Sequence, residues 1–94
     1  MKVHINIQHP PITVNETVTG ANADEIIGKV KARVAKDLPF AMRLMVNGMS
    51  NLMFAQEVVK RYNSAMKKSV PAPQSCDEFL KFAQAQGFAV VEAD

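Results

Sequence analysis

The sequence predicts a single α+β domain in which an N-terminal β-hairpin packs on three or four helices. Apolar residues alternate with polar ones over residues 1–19, whereas from residue 22 onward they recur at helical spacing. The length of 94 residues suits one compact domain. Apolar residues make up 48% of the chain and charged residues 21%, which is ordinary globular usage and excludes a disordered or collagen-like chain.

The first two elements are predicted to be strands. Val3, Ile5 and Ile7 alternate with polar residues, and the same period of two resumes after Pro10 and Pro11. A tight two-residue turn is excluded, because proline cannot adopt the positive φ that such turns require. We therefore expect a looser hairpin. Its apolar face would carry Val3, Ile5, Ile7, Ile12, Val14 and Val18.

A capping box predicts where the first helix begins. Asn22 is followed three positions later by Glu25, and this pair can satisfy the free N–H groups of a helix N-terminus. Pro39 ends the helix, because the residue before a proline is pushed out of the helical region. The apolar residues of this helix share one side: Ile26, Ile27, Val30, Val34 and Leu38.

Residues 40–55 form the most apolar stretch, with Arg43 as their only charged residue. This stretch fits either a buried helix that ends at Asn47 and Gly48 or a strand that enters an Asn-Gly turn, because short apolar runs do not distinguish the two. The helix is favoured, since alanine, leucine and methionine form helices better than the β-branched residues that are scarce here. A longer amphipathic helix, residues 50–69, is predicted to follow.

Prolines separate that helix from the last one. Residues 69–74 contain Pro71 and Pro73, which predict an exposed link without helical hydrogen bonds. A second capping box begins at Ser75, and Gly87 stands where a helix C-cap belongs. The stretch from Phe88 to Val91 can add a short C-terminal strand to the hairpin. One domain would thus span residues 1–94, with the hairpin in 1–19, helices within 22–68 and the last helix at 75–87.

The segment from residue 52 to residue 88 also resembles part of a known family. An amphipathic helix, a proline-containing link and a capped helix follow one another. The matching positions of the last helix are Glu78, Phe79, Leu80, Ala83, Gly87 and Phe88. This pattern is similar to the closing helix of the nitrogen-fixation-linked leader-peptide family. The family's N-terminal part is helical, whereas this chain opens with strands. No Gly-Gly or Gly-Ala cleavage site and no cysteine-rich core peptide follow Phe88, so a modified-peptide precursor is not expected.

Charge is unevenly distributed along the chain. The net charge of +2 is too small to predict a nucleic-acid or anionic membrane partner. Residues 39–70 carry five basic side chains against one acidic, and residues 71–94 carry four acidic against one basic. We expect the two segments to pack as neighbours, so that their fields offset each other.

The cellular compartment is predicted from targeting and membrane features that the sequence lacks. The longest uncharged apolar run is interrupted by polar residues and is too short to cross a bilayer, so no membrane association is expected. No signal-peptide pattern is present at the N-terminus. The single cysteine, Cys76, cannot form an internal disulfide. These features predict a cytoplasmic protein.

The sequence offers little for catalysis or metal binding. His4, His9 and Cys76 do not stand at metal-ligand spacing. Cys76 shares a helix face with apolar residues, which favours a buried structural side chain over a nucleophile. The acidic pairs stand in first helical turns, where capping accounts for them. We therefore predict no catalytic residues, no metal and no cofactor, and a protein that is not an enzyme.

The methionine-rich middle carries the functional prediction. Methionine fills irregular gaps in a core, but it is also used on adaptable surfaces that bind partner helices. The stretch therefore either belongs entirely to the core or exceeds what one small core can enclose, in which case the remainder forms a dimer or partner surface. We therefore predict a small non-enzymatic protein–protein interaction module that binds a protein partner or forms a homodimer. The predicted partner-binding residues are Met42, Met45, Met49 and Met53.

The alternative function is nucleic-acid binding by the basic helix at residues 50–69. The residues for this role are Lys60, Arg61, Lys67 and Lys68. Tyr62 falls on the apolar side of the helix and cannot serve as a stacking platform among these cations. The two functions differ in their response to salt, because phosphate contacts release counterions whereas apolar association does not.

Overall fold

A computed structural model describes residues 1–9 and 12–92. Its elements are β1 (Lys2–His9), β2 (Ile12–Thr19), α1 (Ala23–Lys36), α2 (Phe40–Asn47), α3 (Asn51–Met66), α4 (Cys76–Ala85) and β3 (Ala89–Glu92). The predicted α+β class is confirmed, and the favoured helix in the methionine-rich stretch is present as α2. The conformation at Pro10 and Pro11, on which the looser hairpin depends, lies outside the described residues.

The sheet is antiparallel with the order β2-β1-β3, so β1 is its central strand. Val3 is paired with Val18 of β2 and with Val91 of β3. The predicted C-terminal strand is thus present, beginning at Ala89. Because paired residues share a face of the sheet, the apolar residues of β1 and β2 face the helices together.

One charged residue lies on this helix-facing side of the sheet. Glu16 is paired with Ile5, between the apolar positions of β2. It is tolerated there because it lies near the sheet edge, where Arg33 of α1 donates from Nε to its Oε1 at 2.9 Å. Val14 is buried as predicted, whereas the side chain of Ile12 lies outside the described residues.

The core lies between the sheet and the helices. α1 packs against β2, α2, α3 and α4, and its Ile26 has no exposed surface. α3 and α4 pack against each other, so the basic and acidic segments are neighbours, as the charge distribution predicts. Across residues 1–9 and 12–92, no helix is long and apolar enough to span a bilayer.

Both predicted capping boxes are present. The Asn22 side chain accepts a hydrogen bond from Glu25 N–H at 3.0 Å, and the Ser75 hydroxyl accepts one from Glu78 N–H at 3.1 Å. At the end of α4, Gly87 adopts a φ of 82°. Phe88 N–H then donates to Ala83 O at 2.8 Å, which is the hydrogen bond that spans six residues in a Schellman cap.

Removal of the Ser75 cap should destabilise the protein. Ser75→Ala leaves an N–H group of the first turn of α4 without its side-chain acceptor, so we expect a loss of about 1 kcal/mol in the free energy of unfolding. Urea denaturation measures it. The matched control is Ser69→Ala at an exposed position outside the helices, which should leave the midpoint unchanged. Equal midpoints for the two variants would contradict the capping role.

The link between α3 and α4 differs from the prediction in two respects. α3 ends at Met66 rather than at residue 69, because Lys67 adopts the left-handed conformation with a φ of 54°. Lys67 and Lys68 therefore lie beyond the helix. The link is also not uniformly exposed, since Pro73 is buried and Val70 is half-buried. Side chains of α3 hold this segment against the helix.

Candidate partner-binding site

Helix α2 presents its apolar side to solvent. Phe40 is 70% exposed, Leu44 58% and Met45 48%, and Val46 is the only buried residue of the helix. At 100° per residue, Phe40 and Leu44 lie on the side opposite Val46. A surface helix normally turns such residues inward, so α2 is unusual in carrying large apolar residues on its exposed side as well as on its buried side.

Arg43 explains why α2 is oriented in this way. Its guanidinium turns back toward the end of α1, where Nε donates to Ala35 O and Nη2 donates to Leu38 O, each at 3.2 Å. Ala35 lies in the last turn of α1, whose carbonyls lack donors one turn further along the helix, and Leu38 lies just beyond the helix end. The guanidinium, which is the only charged group of α2, is thus bonded to the protein, although Arg43 keeps exposed surface. The other exposed residues of α2 are apolar except Asn47 at its end.

The four predicted methionines occupy two kinds of position. Met45 and Met53 are exposed, at 48% and 56% of their surface. Met42 and Met49 are half-buried and pack against the core. Met49 lies in the turn between α2 and α3, and Lys31 Nζ fixes this turn by donating to Met49 O at 2.7 Å. All four are therefore placed on or beside α2 and the start of α3.

A groove of about 540 Å³ runs along α3 next to this surface. Met49 and Met53 form its apolar end, while Glu57 and Lys60 add charges of both signs farther along. Its full lining is Met49, Met53, Gln56, Glu57, Val59, Lys60, Asn63, Val70 and Ala72. Met49 belongs to both the turn and the groove, so the groove begins at the turn that follows α2 in the chain. We call this combined region the methionine surface.

Two polar side chains that sequence reasoning missed build the far wall of the groove. Asn63 donates from Nδ2 to Val70 O at 2.8 Å and accepts from Val70 N–H at 3.0 Å. Gln56 Nε2 donates to Pro73 O at 3.0 Å. These bonds hold the link alongside α3, with the chain running in the opposite direction. An asparagine in the interior of a helix, where its side chain competes for backbone hydrogen bonds, is the one signal in the sequence that points to such a role.

The residues of the nucleic-acid alternative are spread along the end of α3 and the link. Arg61 Nε lies 3.2 Å from Glu57 Oε1, one turn earlier on the helix. Lys60 lines the groove, and Lys67 and Lys68 are exposed beyond the helix end. The four cations are thus divided between α3 and the link, and the carboxylate of Glu57 already pairs with Arg61.

Tyr62 is engaged in an aromatic cluster instead of facing these cations. Its ring makes edge contacts with Phe82 at 5.1 Å and Phe88 at 6.0 Å between centroids. Its hydroxyl donates to Gln86 Oε1 at 2.7 Å. The cluster joins α3 to the end of α4, so no aromatic ring among the described residues stands between the lysines as a stacking platform.

Cys76 lies at the start of α4 and is buried. Burial, together with the smaller effect of the Asp24 carboxylate, whose Oδ1 lies 3.5 Å from Sγ, raises the pKa of its thiol to about 11. The thiol is therefore protonated at neutral pH. A protonated thiol is a poor nucleophile, which favours the predicted structural role.

The raised pKa has two measurable consequences. Native protein should react slowly with iodoacetamide at about pH 8. The urea-unfolded chain should react faster, because its thiol has a pKa of about 8.5. Because the folded state keeps a proton that the unfolded state releases, the free energy of unfolding should fall as the pH rises from about 9 toward 11. Cys76→Ser should remove this part of the pH dependence. Equal alkylation rates for folded and unfolded chains would contradict the assignment.

Groups suited to metal binding do not come together in the part of the chain that the structure describes. His4 is half-buried on the outer face of the sheet, with Nδ1 3.2 Å from Thr17 Oγ1. The side chain of His9 lies outside the described residues. The geometry thus leads to the methionine surface as the candidate site.

Comparisons with family models, curated proteins and solved structures found no match for this chain. They neither support nor contradict the resemblance of residues 52–88 to the leader-peptide family, which stays a prediction. Function must therefore be argued from the geometry of the methionine surface.

Proposed function

We propose that the protein is a small non-enzymatic interaction module that binds a partner protein through the methionine surface. The orientation of α2 carries this proposal: its charged residue faces the protein and its large apolar residues face solvent. Clustered exposed apolar residues are unusual on a monomer and mark interaction sites. Since Arg43 fixes α2 in place, this surface exists before any partner binds.

The partner segment that fits best is an amphipathic helix. Phe40 and Leu44 are spaced four residues apart, which is the spacing that interdigitates with apolar residues on a facing helix. The groove offers adaptable methionines at one end and Glu57 with Lys60 at the other. A helix with an apolar stripe and mixed charges at its border matches both parts. The unpaired Cys76 is typical of a reducing compartment, so the cytoplasm remains the location we expect.

A peptide-display experiment tests the proposal. A library of amphipathic helical peptides is selected on the wild-type protein, and the affinities of the selected peptides are then measured for two variants. Met53→Lys places a charge in the groove, whereas Met66→Lys makes the same change at a methionine that is equally exposed, at 56%, but does not line the groove.

We expect the affinity of the selected peptides to fall at least about tenfold for Met53→Lys. Binding would bury an unpaired charge, and burying it costs more than about 1.4 kcal/mol of binding free energy. Met66→Lys should bind them as the wild type does, and circular dichroism should be unchanged for both variants. Peptides that bind both variants equally well would contradict the proposal.

Salt dependence separates this function from the nucleic-acid alternative. Apolar peptide binding should change little between about 50 and 200 mM salt, whereas phosphate contacts would weaken steeply over that range. Titration of oligonucleotides into the wild type, Lys67→Gln and Lys68→Gln measures nucleic-acid affinity directly. Salt-sensitive oligonucleotide binding that is lost in these variants and retained in Met53→Lys would favour the nucleic-acid function.

A further inference from the structure

The two edges of the sheet differ in their protection. Along β2, charged side chains of α1 cover outward backbone groups near both ends of the strand: Lys29 Nζ donates to Thr19 O, Arg33 Nη2 donates to Thr13 O at 3.2 Å, and Asp37 Oδ2 accepts from Thr13 N–H at 3.3 Å. Such charges hinder a sheet edge from pairing with another strand. The β2 edge is therefore protected at Thr13 and Thr19.

The other edge, formed by β3, has open backbone groups. Asn6 N–H donates to Phe88 O at 2.9 Å, so the backbone of Phe88 faces β1. Because the facing direction alternates along a strand, Val90 also faces β1, and the N–H and C=O groups of Ala89 and Val91 face away from the sheet. Within the described residues, nothing hydrogen-bonds to these groups.

The side chains of β3 do not shield this edge. Val90 is 59% exposed on the outer face of the sheet and Val91 is 41% exposed on the helix-facing side. Both are β-branched residues that favour paired strands. The only charge of β3 is Glu92, and Lys2 of β1 already lies near it, with Nζ 3.8 Å from Oε2. From Ala89 to Val91, β3 therefore has no charged residue of the kind that normally protects an edge strand.

We propose that β3 pairs with β3 of a second copy of this chain, antiparallel, across a two-fold axis that passes Val90. This register follows from the backbone. Among the described residues of β3, Ala89 and Val91 are the ones with outward groups, so an antiparallel copy satisfies both when Ala89 faces Val91 of the second copy and Val91 faces Ala89. The two three-stranded sheets then form one continuous six-stranded sheet.

A second copy is the occupant that this strand complements best. The two Val90 residues face each other as a non-hydrogen-bonded pair, the arrangement in which side chains approach most closely. Small apolar Ala89 and Val91 meet on the other face, and like charges do not face each other across these pairs. Since β3 has only four residues, its contact area is well below the roughly 1,600 Å² of a stable interface. The dimer should therefore be weak and should form only at high protein concentration.

Charge substitutions at Val90 test both the dimer and its register. We expect sedimentation equilibrium to show a concentration-dependent dimer for the wild type and a monomer for Val90→Lys and for Val90→Glu, because like charges would face each other across the axis. An equimolar mixture of these two variants should again form dimers, since opposite charges then meet. Asn15→Lys, a matched change on the same outer face of β2, should leave the dimer unaffected.

A second variant tests the backbone without changing charge. Val91→Pro removes an N–H that faces away from β1, so internal pairing is retained while the dimer should be lost. A wild type that stays monomeric at high concentration would overturn the proposal, as would a dimer that survives Val90→Lys. A dimer that Met53→Lys breaks and Val91→Pro does not would place self-association on the methionine surface instead.

Discussion

Phe54→Ala is expected to lower the free energy of unfolding by about 3–5 kcal/mol, the range for truncating a buried phenylalanine. Phe54 is 4% exposed and belongs to the core that α3 shares with the rest of the domain. Small domains have about 5–15 kcal/mol of stability in total. The substitution should therefore leave a large unfolded population in mild urea, which circular dichroism will detect.

The neighbouring residue provides the control. Met53 is 56% exposed, so Met53→Ala should change the unfolding free energy by no more than about 0.5 kcal/mol. The pair tests which side of α3 faces the core. If Met53→Ala were the more destabilising substitution, α3 would be rotated from the orientation described above and the groove would not exist.

Asn63→Ala is expected to release the link from α3. The substitution removes both hydrogen bonds to Val70 and leaves half-buried backbone groups unpaired, so we expect a loss of about 1–3 kcal/mol. Because Val70 and Ala72 line the groove, its far wall should also become mobile. Affinity for peptides selected on the wild type should then fall along with stability.

Amide hydrogen exchange separates the local effect from the global one. In the wild type the Val70 N–H is bonded to Asn63 Oδ1 and should exchange slowly, whereas in Asn63→Ala it should exchange as fast as an unprotected amide. Ser64→Ala, one position along on the exposed side of α3, is the control and should leave this exchange rate unchanged. Slow exchange of Val70 in Asn63→Ala would mean that other contacts hold the link.

Features set by neighbours in the chain could be predicted from the sequence. The capping boxes at Asn22 and Ser75 and the glycine cap at Gly87 each involve groups a few residues apart, so residue type and spacing determine them. The alternation of β1 similarly identified the helix-facing side of the sheet. These local signals were enough for the fold class and for the order of its elements.

The features that shape the candidate site depend on contacts between distant segments. Arg43 caps a different helix, and Asn63 bonds to a link that the sequence describes only as proline-containing. The burial of Pro73 likewise depends on where the link packs. A helical pattern reports which residues share a side of the helix, but not which side faces the core when both carry apolar residues. For that reason the exposure of Met45 and the burial of Val46 needed the structure.

The position of β1 at the centre of the sheet also affects how the chain folds during synthesis. β1 and β2 can pair as soon as both have left the ribosome, whereas β3 reaches β1 only after all four helices have been made. Closing such a long loop is entropically costly and slow. Until β3 arrives, one side of β1 has unpaired backbone groups beside Val3 and Ile5, so the nascent chain passes through a stage prone to strand-mediated aggregation.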